Sequence, residues 1–163
     1  MKLKIIAATF VLLFGLQLAP TTTRAADHGP VGLGLMLGDP NGINAKFQFT
    51  DVWALDLGVG FGFFGTAHVA AHLDLLWDIH LKTWSPGELD LFFGVGAKLG
   101  FFIHKNKSDP GGNLRVGARA PVGLSFFFSE VPVDVFLEVA AGVWAITKVD
   151  FALDAAIGAR YWF

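Results

Sequence analysis

The sequence predicts an all-β fold, an eight-stranded antiparallel up-and-down transmembrane β-barrel. Three observations predict it. Eight segments alternate with a period of two, and turn signals separate them. One face of each segment is apolar, while the other mixes charge with glycine. The chain is 53% hydrophobic, 16% charged and has a mean hydropathy of +0.54, whereas soluble domains carry about 25% charged residues. Yet charges, Gly or Pro interrupt every later apolar run before it reaches the ~20 residues of a helical span. A barrel whose outside is solvated by lipid accounts for all three.

The N-terminus reads as an export signal. Lys2 and Lys4 precede the apolar stretch Ile5 to Leu18, and Thr23-Arg24-Ala25 offers a small-residue cleavage site. Residues 1–25 are expected to be a cleaved signal peptide, and residues 26–163 one barrel domain. Removing Lys2, Lys4 and Arg24 takes no acid with them, so the net charge of −2 becomes −5. That charge, with no basic stripe, argues against a nucleic-acid partner. Cysteine is absent, so stability has to come from the fold and not from disulfides.

The strands follow in order. Val31 to Gly38 is the first, turned by Asp39-Pro40-Asn41-Gly42. Ile43 to Thr50 is the second, and Trp53 to Phe63 the third, with Gly65 in the next turn. Ala67 to Lys82 is the fourth, ended by Ser85-Pro86-Gly87. Glu88 to His104 is the fifth. Asn113 to Phe128 is the sixth, after a loop carrying Asp109-Pro110-Gly111-Gly112. Val133 to Ile146 and Phe151 to Phe163 complete the set. Most reach the ~9–11 residues that a tilted strand needs to cross a bilayer. Pro121 cannot donate a ladder bond, so a bulge is expected there.

The polar faces decide which way the barrel is turned. A lipocalin-like barrel would put them in water. Here they carry Gly32, Gly34, Gly58, Gly60, Gly62, Gly94, Gly96, Gly117 and Gly123 among the charges. Stacked glycine weakens a water-facing strand, but it makes room inside a narrow barrel. The apolar faces therefore point outward. Phe49, Trp53, Trp84, Phe128, Tyr161 and Phe163 would girdle one rim, and Phe61, Phe63, Phe101 and Phe151 the other. With both termini periplasmic, residues 39–42, 64–66, 105–112 and 147–150 would face outward from the cell.

The last strand alternates to its final residue. Ile157, Ala159, Tyr161 and Phe163 share one face. This ending resembles the C-terminal assembly signal of bacterial outer-membrane barrels. The resemblance implies the barrel assembly machinery as a partner during biogenesis, and outer-membrane lipid as the surroundings. Gly32 to Phe63, Arg115 to Leu124, Asp134 to Val139 and Ala156 to Phe163 also resemble a small uncharacterised family of bacterial outer-membrane barrels. That family is of spirochaete type and has the OmpA-like transmembrane fold. The resemblance implies fold and location, and it brings no catalytic residue.

Any chemistry would lie in the lumen. The inward cations are Lys46, Lys98, Arg115, Arg119 and Arg160. The inward acids are Asp56, Asp74, Asp78, Asp90, Asp134, Glu138 and Asp154, joined by His68, His72 and His80. Charges taken out of bulk water have to be paired, so these groups are expected to brace the barrel. Strand direction places Asp74, Lys98, Arg119 and Glu138 together near mid-height, and Asp56, Asp78, Asp134 and Arg160 lower. Met36, Phe92, Phe102, Phe127, Phe136, Trp144 and Trp162 would fill the remainder.

Three other functions compete with the brace. A narrow pore for small solutes would lean toward cations, because lumen acids outnumber bases. A metal would have only His72 and Asp74, since residues four apart on a strand lie roughly 13 Å apart; two ligands are too few. A lipid-modifying enzyme needs a nucleophile with a base at the lipid-facing rim, and no His-Ser-acid cluster stands on the outward face. The sequence thus points to a monomeric, non-enzymatic outer-membrane barrel without metal or cofactor. Lys105-Asn106-Lys107-Ser108-Asp109 is its best surface contact candidate.

Overall fold

Period-two alternation requires strands that bury one face and expose the other, and the chain forms them. A computed structural model describes residues 29–62, 67–103, 112–145 and 149–163. The expected signal peptide, the loop at 104–111 and Phe63 lie outside the described residues. The strands are β1 (Val31–Gly38), β2 (Asn41–Gln48), β3 (Trp53–Phe61), β4 (Ala67–Trp84), β5 (Gly87–Ile103), β6 (Gly112–Phe128), β7 (Val133–Trp144) and β8 (Asp150–Trp162). Each pairs antiparallel with its neighbour in sequence, and β8 pairs with β1 to close the barrel. Closure leaves no sheet edge along the ladder.

The strand ends differ slightly from expectation. Asn41 and Gly42 belong to β2, where they pair with Phe61 and Gly60, so the turn before them is only Asp39-Pro40. β4 runs on to Trp84, which pairs with Gly87. The bulge expected at Pro121 is absent. β6 keeps one register with β5, but pairing stops at Phe93↔Val122 and resumes at Gly96↔Arg119. The missing N–H is absorbed by unpaired positions. An inserted residue would have thrown the inward set of β6 out of phase. Register shifts occur instead in the β4–β5 pair, between Ala67 and Val69 and between His80 and Lys82.

Burial is inverted relative to a water-soluble protein. Leu35, Val95 and Leu153 are 68%, 67% and 66% exposed on the outside, while Lys46 is 1% exposed within. Outward aromatics cluster at the end that holds the chain termini. Trp53, Trp77 and Phe93 pack at centroid distances of 5.0 and 6.0 Å. Trp84, Phe126 and Phe128 pack at 5.6 and 5.1 Å, and Tyr161 and Phe163 at 4.9 Å.

Inside, register sets large groups beside small ones. Around one row, Asp56 neighbours Asp74, Asp74 neighbours Gly96, Gly96 neighbours Arg119, and Arg119 neighbours Gly142. Directly opposed residues stand ~4.5–5.5 Å apart, so a glycine opposite a long side chain gives it room in the narrow lumen. A methyl at Gly96 would fall on the Asp74 carboxylate, and one at Gly58 on the His72 ring and on the Met36 methyl. Met36, Ala54, Leu76, Phe92 and Phe136 form the apolar part of the core.

Candidate functional site

The lumen holds three tiers of charge. The lowest lies toward the chain termini and is organised by Arg160 of β8. Its Nε and Nη2 donate to both carboxylate oxygens of Asp134, at 2.6–3.3 Å. Nη1 donates to Asp56 Oδ1 at 3.0 Å and to Asn44 Oδ1 at 3.2 Å, and Nη2 also reaches Ser125 Oγ at 3.4 Å. The guanidinium lies 4.2 Å from the centre of the Phe136 ring. Trp162 Nε1 donates to Asp134, and Asn44 Nδ2 donates to Asp56. Every arm of the fork thus has an acceptor, the arrangement that makes a buried arginine tolerable. Beside it, Asp78 accepts from Lys46 at 2.8 Å and from Gln48 at 2.9 Å.

Arg119 of β6 organises the middle tier. It ion-pairs with Glu138, and its Nε lies 3.3 Å from Asp74 Oδ2. Its Nη1 lies 2.9 Å from His72 Nδ1. A guanidinium only donates, so Nδ1 is the accepting nitrogen. His72 Nε2 then carries the ring proton and donates to Asp56 Oδ2 at 3.3 Å. The middle tier is thereby wired to the lowest one through His72.

The structure also gathers Asp56, His72 and Asp74, with one ligand atom from each within 4.8 Å of the others. Asp56 comes from the neighbouring strand, which is why the single-strand spacing missed it. The hydrogen bonds argue against a metal centre. The one lone pair of neutral His72 is taken by Arg119, and Arg160 occupies Asp56.

The highest tier lies toward the end of the barrel opposite the chain termini. Lys98 donates to both oxygens of Asp154, at 2.9 and 3.1 Å, and stands 4.4 Å from the Trp144 ring centre. Arg115 lies 4.4 Å from the centre of the Phe102 ring, and Phe102 meets Trp144 edge-on at 5.6 Å. A cavity of about 250 Å³ lies over these groups, reaching down to Arg119 and His72.

The expected residues thus all face inward where their side chains are described, but two choose other partners. Lys98 goes to Asp154, away from Glu138 and Asp74, and Asp78 goes to Lys46, away from Arg160. His80 sits half out at the terminal rim, 2.9 Å from Asp90 Oδ1. The side chain of His68 lies outside the described residues. Asn44 and Gln48 join the network without carrying a charge, so the charge pattern did not reveal them, although each lies in phase with the inward set; Ser125 lies on the inward face that the alternation predicts. Thr83 was missed too. Its Oγ1 lies 3.0 Å from His80 Nε2, a hydroxyl–imidazole–carboxylate order, but Glu88 competes for the same hydroxyl at 3.4 Å.

No protein-family model matches the chain, and no curated protein matches it. Among solved structures it is similar to the N-terminal β-barrel domain of OprF from Pseudomonas aeruginosa. The TM-score is 0.50 at 18% identity, over 82% of this chain and 95% of that one. It is also matched to Ail, the attachment invasion locus protein of Yersinia pestis, with a TM-score of 0.39 at 14% identity, over 82% and 93% of the two chains. The OprF domain shares the closed eight-stranded barrel fold.

Proposed function

We propose that this chain is an integral outer-membrane barrel with a largely occluded lumen and a structural or surface-interaction role. One observation carries the reading: the lower two tiers fill the lumen with ion-paired charge, while the outer surface is apolar and ringed with aromatics. Such a body is stable only in lipid. Its termini would be periplasmic and residues 1–25 removed on export. The outward face Ile157, Ala159, Tyr161 and Phe163 would be read by the assembly machinery, and the barrel would work as a monomer. The narrower kinship with the spirochaete-type family belongs to this proposal and rests on the motifs quoted for it.

The role is non-enzymatic. A lipid-modifying activity would need its nucleophile, base and acid among outward residues, and the outward residues of the strands are almost all apolar. The test is single-channel recording on the refolded, heat-modifiable protein in planar bilayers. An inserted but electrically silent barrel is expected. Discrete, salt-dependent steps would overturn occlusion and favour the narrow cation-leaning pore, with the upper-tier cavity as part of its path.

A further inference from the structure

The upper tier has a cation without an ion-pair partner among the described residues. Lys98 is held by Asp154, and Arg119 by Glu138 and Asp74. Among the described residues, no carboxylate lies within ion-pair distance of Arg115. Its Nε is shielded from solvent and has no hydrogen-bond partner there. The Phe102 ring beneath the guanidinium fixes its plane without offering an acceptor. Buried donors are almost always satisfied, and a guanidinium fork matches the oxygens of a carboxylate or phosphate.

The surroundings are shaped for an occupant. Arg115, Lys98, Arg119 and His72 line one cavity of about 250 Å³, with Phe102 and Trp144 as its apolar floor. Glycines make that floor possible. A methyl at Gly100 would stand 2.9 Å from Trp144 and 2.8 Å from Phe102, and one at Gly142 would stand 3.3 Å from Lys98 Nζ. The volume is below the ~300 Å³ of the smallest usual ligand pockets, so it suits a single small group. Asp154 is already engaged by Lys98. Asp39 and Asp150, also on the cavity, bias it against large polyanions.

We propose that the cavity at the far end of the lumen is a binding site for one phosphate group, with Arg115 as its principal ligand and the nearby Lys98 and Arg119 as further donors. The phosphate can arrive as a free ion or on a lipid headgroup. This runs against the cation preference that the lumen's overall acidity suggests, because Asp154, Asp74 and Glu138 are held in ion pairs while Arg115 has no ion-pair partner among the described residues.

The experiment is calorimetric titration of the refolded mature chain in octyl glucoside, free of phosphate buffer. One arm adds inorganic phosphate, the other short-chain phosphatidic acid in mixed micelles. Saturable binding is expected in at least one arm, weakened at least tenfold by Arg115→Gln and unchanged by Lys82→Gln at the opposite rim. Binding of inorganic phosphate assigns a free ion, and binding of phosphatidic acid alone assigns a lipid headgroup. Heat-modifiability of Arg115→Gln shows that the barrel still forms. Saturable binding in neither arm overturns the site, and so does binding that Arg115→Gln leaves unchanged.

Discussion

Arg160 and Arg115 both point into the same lumen, one from β8 and one from β6, and the protein treats them oppositely. Arg160 donates to Asp134, Asp56, Asn44 and Ser125 and stacks on Phe136. Arg115 stacks on Phe102 and has an Nε without a partner among the described residues. The difference follows the depth of each tier. Near the chain termini the lumen is filled, and water cannot replace a missing acceptor, so each donor requires one from the protein. In the upper tier a cavity adjoins the guanidinium, and its occupant can supply one. Saturation therefore marks the lowest tier, while in the upper tier an Nε without a partner among the described residues stands beside a cavity that something from outside can enter.

The comparison is broken most severely at Arg160. Arg160→Met leaves Asp134 and Asp56 buried with the hydrogen bonds of Trp162, Asn44 and His72 but no guanidinium. Removing one partner of a buried pair costs about 3–5 kcal/mol. Urea unfolding of the barrel in lipid vesicles should show a loss of that size, with the midpoint moved and the slope retained. A stability equal to that of the parent chain would mean that the lowest tier is ornamental.

Arg119 tests the intermediate case. It touches both the brace and the cavity, so water can reach the carboxylates that it leaves behind. Arg119→Ala is expected to cost about 1–3 kcal/mol, the range for leaving buried polar groups unsatisfied, with no rise in conductance. Preserved stability with new conductance steps would make Arg119 a gate. Unchanged stability and an unchanged silent trace together would remove both roles.

How much of this was legible in the sequence divides along the same line. Phase was legible: alternation places Arg115 and Arg119 inward, and glycine on the inward face identifies the lumen, because a one-residue slip would invert both. Partner choice was not. Lys98 was expected near Glu138, but it pairs across the lumen with Asp154, a match set by strand stagger and by closure of β8 on β1. Stagger is a property of the whole barrel, and no single strand carries it. Asn44 shows a second gap. A saturated arginine needs neutral acceptors as well as acids, and the inward position of Asn44 beside Lys46 was the available signal.

The smallest effect should come from Arg115, and its smallness sharpens the contrast. Arg115→Ala removes a stack on Phe102 and no ion pair among the described residues. A cation–π contact contributes about 0.5–2 kcal/mol, rising with desolvation. Unfolding in the same vesicles should therefore shift by no more than that, even though the same position is expected to govern phosphate binding. A loss as large as that of Arg160→Met would show that Arg115 braces the barrel through contacts outside the described residues. The two arginines would then do the same work at two heights, and an Nε without a partner among the described residues would no longer distinguish a binding group from a structural one.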